Sequence, residues 1–485
     1  MSSPRPNVLL IITDQQHYDT LHCGGQEAID TPHIDWFAAR GVRFTQGFCA
    51  APVCSPSRAS LLSGLYPHQH GMVANHQCRP GCDQMHLSQD VKLIADYLKP
   101  VGYTCGYTGK WHLGTGSDRR GFGDFVGRHY DFDVDGSADN DVLRHARAIG
   151  VELSGKQGGS EPDRATYDGR TRIGPSLLPL ADHPATLMCD RAVAFIQQQR
   201  HREDPFMLAY STHEPHAPFV SPRPFDTMYQ PQAMPLPPTF TEQSVHPHLK
   251  QRKTDKALKT VEELGLTEED MRRIVAAYFG QVSFCDHLIG RLTTTLLETK
   301  QLDNTLIIFT ADHGEMLGRH GLMFKGAAML EDLVRIPLLA VPPGGLDTAR
   351  VSASLVSHID LMPTVLDWCG AEIPPGLEGI SIRPQVEQIA APNRTAVVCE
   401  YHSANWTDAI TPLRMWRTHD WKYVESYHGD HELYHLATDR HECKNLIDAP
   451  STSHVLAALR DDLHRWCNRN ADPWPEVPIP PERPQ

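Results

Sequence analysis

The sequence has no apolar run long enough to cross a bilayer. Its first apolar stretch, Val8 to Ile12, is also too short for the hydrophobic segment of a secretion signal, and Asp14 stands close behind it. Repeated Cys-x-x-Cys pairs are absent: 12 cysteines lie scattered over 485 residues, a pattern of reduced thiols rather than a disulfide framework. Together these absences predict a cytoplasmic protein. Positive charge is in deficit, with 45 Lys and Arg against 59 Asp and Glu and a net charge of -14. That balance disfavours nucleic acid and anionic membranes as partners, so an anionic substrate needs a locally positive pocket. Internal repeats and low-complexity tracts are missing as well. The length then implies one large domain with a smaller one beside it.

What the chain does contain is an alternation of apolar strands and amphipathic helices. NVLLIIT (7–13) is a continuous apolar run, as expected of a central parallel strand buried on both faces. Thr31-Pro32 offers a helix N-cap and a proline at the first helical position, and that helix closes at Gly41. VRFTQGF, YTCGYTG, PFMLAYST and NTLIIFT read as further strands. DVKLIADYLKPVG, PATLMCDRAVAFIQQQR, a long stretch from Thr267 to Thr299 and HIDLMPTVLDWCG read as helices. This order predicts an α/β fold with a large, mainly parallel sheet flanked by helices, where ligands sit beyond the carboxyl ends of the strands. Two long excursions, 114–183 and the Pro-rich 215–247 with its charged continuation, read as walls of the site. Beyond residue 375 the strands shorten (TAVVCE, WKYVES) and a last helix follows near 453–467. The expected division is therefore a catalytic domain over 1–375 and a smaller α+β domain over 376–485 that completes the substrate cleft.

Chemistry concentrates at the strand ends. Asp14-Gln15 follows the first strand, and Asp312-His313-Gly314-Glu315 follows NTLIIFT. Carboxylates, an amide oxygen and an imidazole converging from separate strands form a candidate divalent-cation site; the competing reading is that each pair merely caps the next helix. Cys54 opens CSPSRASLLSG at a predicted helix start, with Arg58 one turn on. Such a start favours an anion and lowers a thiol pKa. A cysteine hydrolase would also require an adjacent histidine base, and no local residue marks one. DFDVDGSADNDV (131–142) begins like a calcium loop but has Val142 at its twelfth position, and Cys78 and Cys82 are too isolated for zinc.

Cys54-Ser55-Pro56-Ser57-Arg58 resembles the C-x-P-S-R core of the type I sulfatases of the alkaline-phosphatase superfamily. The likeness extends to GYTGKWHLG (106–114), HEPHAPF (213–219), TADHGEMLG (310–318), GLMFKGAAMLEDLVRIPLL (321–339) and ELYHLATDRHECKNL (432–446). It implies an alkaline-phosphatase-like fold and a formylglycine made from Cys54 by a formylglycine-generating or cysteine-type sulfatase-maturating enzyme. Asp14, Gln15, Asp312 and His313 would be metal ligands, with matured Cys54 touching the metal. Arg58 would orient the formylglycine, and Lys110, His112, His216 and Lys325 would surround the sulfate, with Asn75 and His213 as further substrate contacts. Calcium is the family default; Asp-Gln and Asp-His in place of the commoner Asp-Asp and Asp-Asn shift the choice toward manganese or another transition metal. The implied substrate is a small anionic sulfate ester of a sugar, alkyl or aryl alcohol, and related branches are often homo-oligomers. That variant ligand set resembles the choline-sulfatase, iduronate-sulfatase and phosphonate monoester hydrolase branches. The Pro-rich segment resembles the phosphonate hydrolases closely, yet Lys110 and His112 are typical of sulfatases where those hydrolases carry tyrosine and threonine. A non-catalytic anion-binding protein with unmodified Cys54 is the remaining alternative.

Overall fold

A computed structural model describes residues 5–75, 86–114, 122, 124–126, 171–240, 249, 258–388, 394–403 and 411–476. The stretch 131–142, Cys78 and Cys82 lie outside these residues.

The apolar run at the N-terminus forms the strand Asn7–Thr13, buried along its whole length. It pairs in parallel with Phe206–Ser211 on one side and Thr305–Ala311 on the other. Successive side chains leave on opposite faces. Val8, Leu10 and Ile12 pack with Phe44, Leu61, Tyr107 and Val365, whereas Leu9 and Ile11 pack with Phe37, Ile196, Tyr210 and Leu288. Each such side chain contributes roughly 1.5–3 kcal/mol by leaving water. A strand with no polar face is thus stable only inside a sheet covered on both sides.

Across that sheet the order is Arg350–Ser357, Val42–Phe48, Arg335–Val341, Thr305–Ala311, Asn7–Thr13, Phe206–Ser211, Thr104–Gly109 and Asp124–Val126. All run parallel except Arg335–Val341, which opposes both of its neighbours. The expected mainly parallel α/β sheet is present, with one reversed strand that the alternation pattern did not reveal. Pro337 explains why: it sits where the register shifts between Ile336 and Leu338, a place where a missing N–H is tolerated in a central strand.

Helices cover both faces. Two differ from their sequence reading. The stretch 90–102 is helical only over Ile94–Leu98, and the 3-10 turn Lys99–Val101 follows, because Pro100 cannot continue the hydrogen-bond ladder. The helix Pro32–Arg40 begins after Thr31, yet the Thr31 hydroxyl donates to Asp35 at 3.1 Å and makes no cap. Its free N–H groups go instead to Asp286 of the helix Glu268–Glu298, at 2.7 Å from Ile34 N and 3.2 Å from His33 N.

The C-terminal part carries a small antiparallel sheet in the order Val397–Tyr401, Leu413–Arg417, Trp421–Ser426, Glu432–His435. The helix Ser453–Arg469 packs on it through Leu463 and Trp466 against Tyr423 and Leu433. Buried ions tie this sheet to the larger one. Lys422 Nζ lies 2.9 Å from Glu331 Oε1, 2.6 Å from Glu442 Oε1 and 2.9 Å from the Met329 carbonyl. The loop that leaves Lys325 is thereby held from the small sheet. No helix among the described residues is long and apolar enough to cross a membrane, and no disulfide joins any two of the described cysteines.

Candidate active site

Register brings the two acidic motifs together. Thr13 pairs with Ala311 across adjacent parallel strands, so Asp14 and Asp312 emerge side by side, with Asp312 N donating to Thr13 O at 2.9 Å. Oδ1 of Asp312 accepts the backbone N–H of Gln15 at 2.9 Å and of His313 at 2.8 Å. Gln15 takes a left-handed backbone, φ 61°, to reach that position.

Between the two carboxylates lies Arg58. Its Nε donates to Asp312 Oδ2 at 2.9 Å, one terminal nitrogen donates to Asp14 Oδ2 at 3.1 Å, and the other donates to the Lys110 carbonyl at 2.9 Å and Ser211 Oγ at 2.6 Å. The guanidinium is 1% exposed and holds both carboxylates in one geometry. Arg58 comes from the helix Cys54–Ser63, every residue of which is buried. That helix has no side-chain cap at Val53; Asn75 Oδ1 instead accepts from Ser55 N at 2.9 Å, in its first turn.

Cys54 Sγ is the point on which the positive groups converge. Lys325 Nζ is 2.9 Å away, His313 Nε2 3.2 Å, and Lys110 Nζ and Asp14 Oδ1 each 3.7 Å. Burial alone would push the thiol up, but Lys110, Lys325 and His313 outweigh it and hold the group well below its ordinary value. Asp14 is likewise fully buried, yet Lys110, His216 and Lys325 hold its carboxyl well below the usual range. Lys110 follows its strand through Gly109, φ 98°, where a Cβ would meet the Ser211 carbonyl at 1.8 Å; only glycine lets the chain turn there.

Three more histidines line the same place. Burial, aided by Lys110, lowers His112 to about 4, and burial together with His216 and Lys110 pushes His213 well below its usual value. His216 is less buried; its ring centroid lies 4.8 Å from that of His213 and its Nδ1 is 2.5 Å from the Ala217 carbonyl. The structure therefore assembles Asp14, Gln15, Cys54, Arg58, Lys110, His112, Asp312, His313 and Lys325 into one cluster, with Asn75 beneath the helix start and His213 and His216 at its flank. It also places an imidazole, His313, against the thiol from 259 positions away, a neighbour that local sequence could not reveal.

Sequence reasoning missed Ser211 and His358. The first holds Arg58; the second donates through Nε2 to the Ala311 carbonyl at 2.9 Å, which leaves Nδ1 as an acceptor facing Ser57 Oγ at 3.0 Å. Both stand at strand ends, where the same rule that found Asp14 would have found them.

Matching residues 6–371 is the family model described as Sulfatase. This chain belongs to the sulfatase family. A second model, for the C-terminal region of N-sulphoglucosamine sulphohydrolase, matches residues 318–469 of this sulfatase. The uncharacterized sulfatase YidJ of Escherichia coli is 31% identical over 97% of the chain and 88% of its own length. The choline-sulfatase of Rhizobium meliloti is 27% identical over 95% and 86%. Among solved structures, the phosphonate monoester hydrolase of Silicibacter pomeroyi superposes with a TM-score of 0.79 at 26% identity, covering 96% of each chain. The protein is a sulfuric ester hydrolase of the alkaline-phosphatase fold.

Sulfatases generally work with a formylglycine and a divalent metal, and the donor chemistry here fits such an ion. One donor atom each from Asp14, Cys54, Asp312 and His313 lies within 4.8 Å of the others, all buried. His313 gives its Nδ1 side to the Gly314 carbonyl at 2.9 Å, which leaves Nε2 facing the carboxylates. A second group, His68, Glu400 and Asp472, has comparable spacing but already contains its own cation: Arg414 reaches Asp472 at 2.6 and 2.8 Å.

Proposed function

We propose that this sulfatase hydrolyses a sulfate monoester of a sugar, alkyl or aryl alcohol, through a formylglycine made from Cys54 by a sulfatase-maturating enzyme. Asp14, Gln15, Asp312 and His313 would hold one divalent metal, calcium by family default and manganese as the alternative that the imidazole favours. The observation that carries the reading is the position of Cys54 Sγ, 2.9 Å from Lys325 Nζ and 3.2 Å from His313 Nε2. An atom placed there lies between a cation site and the ammonium groups that would receive sulfate.

A formylglycine at Cys54 would supply, once hydrated, one hydroxyl as a nucleophile toward sulfur and a second hydroxyl whose loss of a proton would restore the aldehyde as sulfate leaves. The metal supplies Lewis-acid charge when bound. Lys110 and Lys325 bind the sulfate oxygens and offset charge that spreads over them as the ester bond breaks. Arg58 holds the carboxylates of Asp14 and Asp312 in place. His112 and His213, held neutral by burial, donate hydrogen bonds. His216, with Nδ1–H given to the Ala217 carbonyl, would present Nε2 to the leaving alcohol and, when the ring carries a second hydrogen on Nε2, pass that proton to the alkoxide as the ester bond breaks.

A second reading is hydrolysis of phosphonate monoesters or phosphodiesters by the same groups, favoured by the likeness to two phosphonate monoester hydrolases at TM-scores of 0.79 and 0.78. The test is a turnover panel of sulfate esters, phosphodiesters and phosphonate monoesters, on protein whose Cys54 peptide has been weighed to verify conversion. Sulfate esters should be turned over with the highest kcat/KM. A phosphonate leading the panel would displace the sulfatase assignment, and an unconverted thiol from the native host would leave an anion-binding role.

A further inference from the structure

We infer that Glu315 is the positioning residue that makes Gln15 a metal ligand, by taking the hydrogens of its amide and so presenting Oε1 to the cation site. The inference rests on the proposed metal-binding role of Asp14, Gln15, Asp312 and His313.

An amide can offer a site either its oxygen or its NH2, and its neighbours decide which. Gln15 has two polar neighbours of opposite kind. Lys325 Nζ, 2.7 Å from Oε1, has only hydrogens to give. On the other side Nε2 donates to Glu315 Oε2, which has only lone pairs. Reversing the amide would set two donors against each other at Lys325 and two acceptors against each other at Glu315. Glu315 is itself fixed: its Oε1 accepts from Leu317 N at 2.9 Å and from Phe324 N. It is fully buried, and no Lys or Arg forms an ion pair with it among the described residues. Phe324 immediately precedes Lys325, so one carboxylate sets both the amide that faces the cation and the backbone that delivers the ammonium. Glu315 stands outside the group of donor atoms around Cys54; it acts through Gln15.

Glu315→Gln keeps size and shape but replaces Oε2 by an NH2, since Oε1 must still accept two backbone N–H groups. That NH2 would confront the NH2 of Gln15, which turns over and points its hydrogens at the metal. Loss of such a supporting bond costs about 10- to 100-fold in metal affinity. The reciprocal change Gln15→Glu in the Glu315→Gln background restores a donor-to-acceptor pair and again offers an oxygen.

Calorimetric titration of calcium and of manganese into metal-stripped protein tests this, with circular dichroism as the folding control. We expect Glu315→Gln to bind at least about tenfold more weakly than the parent, and the double variant to bind more tightly than either single variant. Parental affinity in a folded Glu315→Gln protein overturns the assignment. So does a double variant that binds no more tightly than Gln15→Glu alone, a result readable even if Glu315→Gln does not fold. A parent that binds neither ion sinks the metal site itself, and with it this role.

Discussion

Arg58 Nε lies 2.9 Å from Asp312 Oδ2, a bond between residues 254 positions apart in which both side chains are almost wholly buried. The same guanidinium reaches Asp14. Removing it leaves two buried carboxylates facing each other, and breaking a buried pair costs roughly 3–5 kcal/mol. Arg58→Met should therefore lower thermal stability by that order in denaturant titrations. Arg58→Lys should fold better yet lose turnover by about 100-fold or more, since a single ammonium cannot bridge both carboxylates. Because Arg58 also lies in the maturation signal, Cys54 conversion must be weighed in each variant. Parental kcat/KM in converted Arg58→Lys would show that the clamp is dispensable.

Metal removal separates the proposed mechanism from a thiol hydrolase. Chelation should abolish turnover, and calcium or manganese should restore it. Added metal should also raise the melting temperature, because a ligand at about 100 times its Kd stabilises the native state by about 2.7 kcal/mol. The thiol reading, which His313 at 3.2 Å from Cys54 keeps chemically coherent, expects the reverse: activity that survives chelation and is lost on alkylation.

His216 is expected to matter in proportion to the basicity of the leaving alcohol. His216→Gln should lower kcat for alkyl sulfates by about 10²- to 10⁴-fold, the usual contribution of a general acid. A nitrophenyl sulfate, whose leaving group needs no proton, should lose far less. An equal loss across both classes would mean that His216 only shapes the pocket.

His68 predicts a pH dependence of stability. Its ring nitrogens face two acceptors, Glu400 Oε1 at 2.6 Å and the Asn470 carbonyl at 3.1 Å. Burial opposes the charged ring, but Glu400 outweighs it and raises the pKa. A group raised in the folded state contributes its full stability below the unfolded value of about 6.5 and loses it as pH rises through the folded value. Melting temperature should thus fall as pH rises from about 6 upward, and His68→Gln should flatten that part of the curve. Parallel curves for parent and variant would assign the fall to another group.

The amino-acid order by itself determined the strands, because an unbroken apolar run such as 7–13 is stable only in a doubly covered sheet. It also determined where chemistry would gather, since Asp14, Lys110, Asp312 and the helix start at Cys54 all follow strands. Spacing alone could not supply partners from distant chain. The cap of the helix Pro32–Arg40 comes from Asp286, the imidazole beside Cys54 from His313, and the anchor of the Lys325 loop from Lys422. The reversed strand was hidden because Pro337 argues locally against a central strand, and only the register shift around it makes room for one. The tertiary structure decided these matters for one physical reason: hydrogen bonds and ion pairs depend on which groups meet, and the sheet brings together residues 250 or more positions apart.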